Sequence, residues 1–407
     1  MGTSCMNILL LHNYYQQPGG EDQVFEAEKA LLKRAGHQVL TYERHNDEIK
    51  TYSLAQKLGL VKRTLWAKDS AQAIRDILKR ERPDVAHFHN TFLLISPSAY
   101  YACWEARVPV IQTLHNYRLL CPAATFFRSG QVCENCLSNT PPWPGVAHGC
   151  WRSSRAKTAV VAMMLAVHRW LKTWEKQVHL YIAPTEFARR KFIEGGLPAE
   201  KIVVKPNFVD SDELQVTNDE WRKGKRGYAL FVGRLSPEKG VRTLLRAWQK
   251  TKEIPLKVVG DGPLMGEVQA FLEREGLEGV EVLGHREREE VLRLMRGAWF
   301  LVFPSEWYEG FPLTIAEAFA CGVPVIASRL GAMAEIVEDG RTGLHFEPGN
   351  SEDLVAKVEW AWTHPKEMQE MGQEARREYE EKYTAERNYE MLMEIYQRAM
   401  EEARSGG

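Results

Sequence analysis

Short runs of aliphatic and β-branched residues alternate with longer amphipathic stretches along almost the whole chain, and this alternation constrains the fold more than any other feature. The pattern starts with a strand predicted over residues 7–12, a glycine-containing loop, and a helix predicted over residues 22–35 that ends at Gly36. Strands that alternate with helices build parallel sheets covered by helices on both faces. We therefore predict an α/β fold of doubly wound, Rossmann-like sheets.

The predicted strands fall into two series, at 7–12, 38–42, 85–89, 110–115 and 180–184, and at 228–232, 256–259, 280–283, 299–303 and 325–327. Between the series, Lys205-Pro206-Asn207 precedes a polar segment, 210–226, that suits a linker. We predict two domains, 1–205 and 206–384, with a helix in 385–407 that packs back onto the first. Ligands of open α/β sheets bind at the carboxyl ends of the strands, so a cleft between the two domains is the expected substrate site.

Bulk composition excludes several classes of function. Formal net charge is -1, from 53 basic and 54 acidic residues, so no field attracts a polyanion and nucleic acid is not an expected partner. No apolar run reaches the roughly 20 residues of a membrane-spanning helix, and the N-terminus lacks the order of a signal peptide. The odd number of cysteines, seven, fits a reducing cytoplasm.

A glycine pair, Gly19 and Gly20, lies in the loop between the first strand and the first helix. Glycines there let a ligand approach the backbone, and the helix N-terminus offers free N–H donors to a phosphate or a sugar oxygen. The alternative is a tight turn in which Asp22 merely caps the helix.

A more specific loop, Gly233-Arg234-Leu235-Ser236-Pro237-Glu238-Lys239-Gly240, follows the first strand of the second series. Arg234 offers a forked donor and Lys239 a point charge, which together suit a diphosphate. Two cations can also neutralise a departing nucleoside diphosphate without a metal ion. The alternative is a solvated basic pair.

Two glutamates eight positions apart, Glu309 and Glu317, flank the start of another helix. One carboxylate can face sugar hydroxyls while the other binds a ribose diol. Glu317 could instead be an ordinary surface residue of the helix. Gly310 and Pro312 shape the intervening turn, and the backbone N–H groups that it offers between Gly310 and Leu313, including that of Phe311, would complete an anion site.

Together these motifs resemble the retaining GT-B glycosyltransferases of family four, the bacterial glycosyl transferases group one. The resemblance covers nearly the whole chain, through Thr113-Leu114-His115, Pro184-Thr185-Glu186-Phe187, Pro206-Asn207 and the stretches VVGDGPL, LGH and GVPVIAS. It implies that Glu309 contacts the donor sugar and Glu317 the ribose, and that Arg234 and Lys239 hold the diphosphate. It also places Gly20 near the phosphate or sugar, His115 beside the reacting centre, and Gly284 and His285 near the nucleobase.

The resemblance further implies a mechanism in which the leaving diphosphate helps deprotonate the acceptor, so that the anomeric configuration is retained without a protein nucleophile. The expected donor is a UDP- or GDP-sugar, and the expected acceptor is a glycan or lipid-linked glycan of a cell-surface polysaccharide. Asp210-Ser211-Asp212 resembles a metal-binding Asp-X-Asp, but its place in the linker favours coincidence, and no catalytic metal is expected. Alternatives are a GT-B phosphorylase, an epimerase, or a nucleotide-sugar-binding protein without transfer activity.

Four cysteines crowd one Pro-, Gly- and Trp-rich insert in the pattern C…CxxC…C, which suits four-coordinate zinc. Loosely placed thiols and an oxidative disulfide are the alternatives. The four are Cys121, Cys133, Cys136 and Cys150.

The stretch from Trp151 to Val178 combines basic residues with an apolar core that includes Trp170 and Trp174. A basic amphipathic helix with tryptophans can lie in a membrane interface, which would suit a lipid-linked acceptor at the inner face of the membrane. The alternative is an ordinary helix that covers the sheet.

Overall fold

The computed structural model describes residues 5–17, 19–210 and 227–405. Most of the predicted linker, including Ser211 and Asp212, lies outside the described residues, as do Pro18, the first four residues and the last two. The chain divides into two compact units. The first comprises Met1–Phe126, Cys133–Pro206 and Asn388–Gly407, and the second comprises Phe127–Val132 and Asn207–Arg387.

The first unit is built on a six-stranded parallel sheet of order β2-β1-β3-β4-β7-β8. Its central strands are buried along their length, as expected for a sheet covered on both faces. The strands are β1 (Asn7–Tyr14), β2 (Gln38–His45), β3 (Val85–Phe88), β4 (Val110–Thr113), β7 (Leu180–Ala183) and β8 (Ile202–Val204).

Helices connect these strands, and a short antiparallel hairpin, β5 (Phe127–Arg128) and β6 (Gln131–Val132), interrupts the chain after β4. The helices are α1 (Gly20–Arg34), α2 (Leu54–Leu65), α3 (Lys68–Glu81), α4 (Ser98–Glu105), α5 (Trp143–His148), α6 (Arg155–Trp170), α7 (Thr173–Lys176) and α8 (Glu186–Glu194).

The second unit repeats this plan, with a six-stranded parallel sheet of order β11-β10-β9-β12-β13-β14. Its strands are β9 (Tyr228–Val232), β10 (Leu256–Val259), β11 (Val280–Gly284), β12 (Ala298–Phe303), β13 (Val325–Ser328) and β14 (Gly343–Phe346). Its helices are α9 (Val241–Trp248), α10 (Met265–Glu275), α11 (Arg288–Gly297), α12 (Leu313–Ala320), α13 (Gly331–Ile336), α14 (Ser351–Thr363) and α15 (Pro365–Lys382).

The last helix, α16 (Ala385–Ser405), contributes to the core of the first unit. Leu392 and Tyr396 are fully buried in the same cluster as Ile8 and Leu10 of β1. The last turn of α16 includes Ser405.

The predicted fold class, an α/β protein with two Rossmann-like sheets, is confirmed. Helix α1 begins at Gly20 rather than at Asp22, because Gly19 is the residue that caps it. Asp22 lies one turn inside, where its carboxylate accepts a hydrogen bond from the Gly19 N–H at 2.9 Å. The edge strands β8 and β14 are the elements of the sheets that the sequence did not predict.

Candidate functional site

The loop after β9 packs directly against the loop after β12, at the carboxyl end of the second sheet. Gly240 has φ of +69°, and a β-carbon there would lie 1.8 Å from the carbonyl oxygen of Pro304. The backbone N–H of Glu306 donates to the carbonyl of Glu238 at 2.8 Å. Glycine is therefore required at position 240 both for its dihedral angle and for the close approach of the two loops.

This approach brings Lys239 and Glu309 together. The Lys239 Nζ donates to Glu309 Oε1 at 2.7 Å, and the Ser305 hydroxyl donates to the same oxygen at 2.5 Å. Glu309 is almost fully buried, whereas the Lys239 side chain is 22% exposed. The Lys239 ammonium also lies 5.4 Å from the ring centre of Trp307, within the range of a cation–π contact. The result is a carboxylate fixed by two donors next to a cation that solvent can reach.

The second glutamate of the motif, Glu317, lies on the buried face of α12 and pairs with a residue that the sequence did not single out. Arg288, the first residue of α11, donates from Nη1 to Glu317 Oε1 at 2.7 Å. The Glu317 side chain is 11% exposed and that of Arg288 43%. Arg288 follows β11 just as Lys239 follows β9, so both cations start from the carboxyl end of this sheet, on strands that β10 separates. The surface-residue alternative for Glu317 does not fit its burial.

The other residues of this unit that were predicted to contact the nucleotide-sugar donor lie at strand ends and in loops. Gly233 follows β9, and its N–H donates to the Val259 carbonyl at 3.0 Å. Arg234 and His285 are exposed, and among the described residues the Arg234 guanidinium has no hydrogen-bond partner. Gly284 ends β11 with φ of +69° and open space around its α-carbon.

The turn predicted to offer backbone donors is formed by Gly310, Phe311 and Pro312, after which Leu313 begins α12. Pro312 is the N-cap residue, and the first N–H groups of a helix have no intrahelical acceptor. Phe311 packs on the hydrophobic core of the unit and meets the ring of Tyr383 edge to face. Phe311 thereby fixes the turn to the hydrophobic core, and the backbone of the turn lies at the carboxyl end of the sheet.

In the first unit, the glycine loop opens α1 as predicted by the pattern of glycines. Gly20, the first residue of α1, is exposed, and Gly19 is partly exposed. Asp22 accepts from the Gly19 N–H and contacts the buried ring of His12, with 2.7 Å between Asp22 Oδ1 and His12 Nε2. The loop is thus fixed to the end of β1 by one carboxylate.

His115 belongs to a chain of polar contacts that runs into the interior of the first unit. Its Nε2 lies 3.0 Å from His89 Nδ1, and His89 Nε2 lies 3.5 Å from Glu28 Oε2. The other oxygen of Glu28 accepts from Lys205 Nζ at 2.6 Å, and both side chains of that pair are 1% exposed. His87 joins from the neighbouring position, with Nδ1 bonded to the Tyr396 hydroxyl at 2.8 Å. His115 is the partly exposed member of this chain.

Burial controls protonation in this chain. Burial lowers the pKa of His87, the Glu28 carboxylate opposes this and the Lys205 ammonium adds to it, so that the net pKa is about 4. Burial likewise holds the pKa of His89 and His115 well below the usual range. The three rings are therefore neutral near pH 7, and His115 can accept a hydrogen bond.

Glu21 joins the two loops that follow β3 and β4, a role that the sequence did not reveal. Its carboxylate accepts from the Asn90 amide at 2.8 Å and from the Asn116 amide at 2.7 Å. Loss of hydration raises the pKa of Glu21 to about 8. The signal in the sequence is a repeated His-Asn pair, His89-Asn90 and His115-Asn116, each directly after a strand.

The four clustered cysteines are free thiols in one insert of the first unit. Cys121 and Cys136 are buried, while Cys133 and Cys150 are partly exposed. Within the described parts of the chain, Glu28, His87 and His89 form the one group of three potential ligand atoms that lie within 4.8 Å of one another. The four cysteine sulfurs lie in the same insert, but no three of them all lie within 4.8 Å of one another.

The stretch from Trp151 to Val178 is divided between the interior and the surface. Trp174 and the face of α6 that carries Val161 and Leu165 are buried, as for a helix that covers its own domain. Trp170 is 82% exposed and Met163 40%. None of the helices described has both the length and the apolar character needed to cross a membrane.

Two family models match consecutive parts of the chain. The family described as Glycosyltransferase Family 4 matches residues 19–213, and the family described as Glycosyl transferases group 1 matches residues 216–378. Among curated proteins, an uncharacterised glycosyltransferase of Methanocaldococcus jannaschii is 40% identical over 138 residues, which cover 34% of this chain and 39% of that protein. The D-rhamnosyltransferase WbpZ of Pseudomonas aeruginosa is 34% identical over 171 residues, which cover 41% and 44%. The chain spans about half the length of the curated relatives it matches.

A solved structure extends the similarity over the full length. The crystal structure of Anabaena HepE in complex with UDP matches with a TM-score of 0.67 at 21% identity, and the match covers 96% of this chain and all of the other. At this identity the comparison establishes the fold.

Proposed function

Since the chain belongs to the GT-B glycosyltransferases of family 4, we propose that it transfers a sugar from a nucleoside-diphosphate donor to a hydroxyl acceptor. The observation that carries the proposal is the contact between Lys239 and Glu309 at the carboxyl end of the second sheet. Such an end is where open α/β sheets bind nucleotides. In this proposal the second unit binds the donor and the first unit carries the acceptor side.

Lys239 and Arg234 would bind the diphosphate. Lys239 is partly exposed and has a flexible stem, so its ammonium can exchange Glu309 for a phosphate oxygen. Arg234 is exposed in the same loop and has five donors in a fixed fork. Two cations would stabilise the leaving group as negative charge develops on it, which makes transfer independent of a divalent metal. Transfer activity in excess chelator is the corresponding measurement. If the activity is lost completely and added Mg²⁺ or Mn²⁺ restores it, the proposed metal independence is contradicted.

The two glutamates would orient the donor. Glu309 is held by Ser305 even when Lys239 moves, so its carboxylate stays in place to accept from sugar hydroxyls. Glu317 would accept from the ribose diol, and Gly284 and His285 would lie beside the base. A neutral His115 would contact the reacting sugar or the acceptor, with the leaving diphosphate as the base, so that the anomeric configuration is retained. The anomeric configuration of the product, read by NMR, tests retention.

The donor we propose is a UDP- or GDP-sugar. UDP is the ligand named for Anabaena HepE, and the relative from P. aeruginosa is named as a rhamnosyltransferase. The acceptor we propose is a glycan or a lipid-linked glycan of a cell-surface polysaccharide, since O-antigen mannosyltransferases of Escherichia coli are also among the relatives.

The decisive experiment measures both binding and turnover. A panel of nucleotide sugars is screened for thermal stabilisation and for slow donor hydrolysis, and the stabilising donor is then used with Lys239→Ala, Glu309→Gln and the control Glu267→Gln. Glu267 lies on the surface of the same unit, in an exposed pair with Arg242. We expect the first two variants to lose activity by about 10²- to 10³-fold while the control keeps it. Wild-type activity in either site variant would refute the site. Binding without turnover of any donor would instead favour the nucleotide-sugar-binding alternative.

A surface on the first unit supports contact with a membrane. Exposed Leu54 of α2 and exposed Met163 and Trp170 of α6 lie on two helices that contact each other, and α6 begins with the basic residues Arg155 and Lys157. Apolar and cationic groups together suit the interface of an anionic bilayer. We propose that this surface brings the enzyme to a lipid-linked acceptor. Sedimentation with vesicles of anionic and of neutral lipid is the measurement, and Trp170→Ser should weaken binding to the anionic vesicles. Equal, weak binding to both vesicles would contradict the proposal.

A further inference from the structure

The insert between β4 and α6 holds four thiols that the proposed sugar transfer does not use. Its regular structure is limited to the hairpin β5–β6 and the six-residue helix α5. The remainder is turns, in which Cys121 closes one turn by donating its N–H to the Tyr117 carbonyl at 2.8 Å. A loop-rich insert of this kind has little core of its own, which is the situation in which proteins use a structural metal or disulfides.

The cysteines come from three separate stretches, and those stretches converge on Gly145 of α5. A β-carbon at Gly145 would lie 3.3 Å from Cys136 Sγ and 3.1 Å from Cγ of Pro122, the residue after Cys121. The Gly145 carbonyl accepts from the Cys150 N–H at 3.0 Å. One glycine thus touches the Cys136 thiol, the neighbour of Cys121 and the backbone of Cys150.

The fourth cysteine, Cys133, is tied to Cys136 by the CxxC spacing, and its N–H donates to the Phe126 carbonyl at 2.7 Å. The Cys136 thiol is buried, and the other three cysteines lie near enough to interact with it electrostatically. The Cys136 sulfur accepts a hydrogen bond from the Gly145 backbone N–H and donates weakly to the Pro142 carbonyl at 3.9 Å. The stretches that carry the four cysteines therefore meet around Gly145, although no three of the four sulfurs all lie within 4.8 Å of one another.

We propose that this cluster is a structural zinc site with four thiolate ligands, from Cys121, Cys133, Cys136 and Cys150. Zinc in such sites is tetrahedral, with Zn–S distances of about 2.3 Å, which places the sulfurs about 3.8 Å apart. The ion would draw the turns together by a small displacement around Gly145, and each thiol would release its proton on binding. The site ties the insert together and is independent of the proposed transfer reaction.

The other cluster of potential ligands is less suited to a cation. Glu28, His87 and His89 lie within 4.8 Å of one another, but Lys205 already neutralises Glu28 at 2.6 Å. A divalent ion there would face a buried ammonium group, and His87 is already bonded to Tyr396 and Thr113. The geometry favours a polar network at that place and a metal at the thiols.

Metal analysis of the wild-type protein, purified without added metal or chelator, is the first test. We expect about one zinc per chain, retained through dialysis and released when an organomercurial blocks the thiols. Zinc below about one tenth per chain would overturn the proposal. So would iron together with acid-labile sulfide, or a pair of disulfides in protein kept under reducing buffer.

Variants then assign the ligands. Cys133→Ser changes a partly exposed thiol, and Cys5→Ser, at an exposed cysteine outside the insert, is the matched control. We expect Cys133→Ser to lose its zinc on dialysis against a chelator that leaves the metal in wild type and in Cys5→Ser. Retention of zinc in Cys133→Ser under those conditions would overturn the assignment. If that variant is insoluble, Co²⁺ exchanged into the wild type should give the charge-transfer absorption of four thiolates, and its absence would overturn the proposal equally.

Discussion

Replacement of Glu28 by Gln tests the buried chain that ends at His115. Glu28 and Lys205 are each 1% exposed and form one ion pair at 2.6 Å, 177 positions apart in sequence. Glu28→Gln keeps the size of the side chain but leaves the Lys205 ammonium buried without a counter-charge. Removal of one partner of a buried pair costs about 3–5 kcal/mol. For a domain of about 200 residues this corresponds to a fall of about 10 °C in the unfolding temperature of the first unit.

The assay is differential scanning calorimetry at pH 8, where the histidines are neutral in both folded and unfolded chains. Glu267→Gln serves as the control, because its pair with Arg242 is about half exposed and such pairs contribute about 0–1 kcal/mol. The double variant Glu28→Gln with Lys205→Met should regain most of the lost stability, since it removes both charges at similar volume. An unfolding temperature of Glu28→Gln within about 2 °C of wild type would refute the reasoning.

The remaining predictions follow from single contacts. The pKa of His87 is about 4 in the folded protein and 6.5 in the unfolded chain, so the unfolded chain takes up the proton first as the pH falls. Between pH 6.5 and about 4 the first unit should therefore lose about 3 kcal/mol of stability. Calorimetry across this range that shows no loss would contradict the prediction. Gly240→Ala should destabilise the second unit by about 2–4 kcal/mol, because the new β-carbon would clash with Pro304. The control Gly276→Ala has a similar φ but open space around it, so it should cost about 1 kcal/mol. Denaturant unfolding measures both. Glu317→Gln should raise the KM for the donor by about 10-fold through loss of a charge-assisted hydrogen bond, with little change in stability, and an unchanged KM would remove Glu317 from the ribose site.

The fold was predictable because the central strands of both sheets are mainly apolar runs, in spite of polar residues such as His87 in β3 and Gln112 in β4. Strands such as Leu180–Ala183 and Val325–Ser328 are buried on both faces, so their sequences lack polar interruptions. The edge strands Ile202–Val204 and Gly343–Phe346 are short and in part exposed, which weakens the same signal. The start of α1 was misplaced by two residues because Gly19, which has no side chain to signal a cap, is its N-cap.

The loops of the candidate site were predictable, but the partners of their side chains were not. Glycines and a strand end identify the loop that carries Lys239, and the spacing of the glutamates identifies Glu309. The pairing of Arg288 with Glu317 depends on α11 packing beside α12 on the second sheet, and that packing is not encoded locally. The link between Glu28 and Lys205 likewise requires α1 to pack where β8 ends.

The ion pairs at the second sheet have a physical consequence for how a donor would bind. Glu309 receives hydrogen bonds from both Ser305 and Lys239, so departure of Lys239 towards a diphosphate frees an acceptor position on Oε1 while Ser305 still holds the carboxylate. A sugar hydroxyl can fill that position, which couples diphosphate binding to sugar orientation through one carboxylate. Glu317 has no equivalent freedom unless Arg288, which is 43% exposed, turns outward. Since turning an exposed guanidinium outward costs little, that movement of Arg288 would free the Glu317 oxygen that it now holds for a hydrogen bond from the donor.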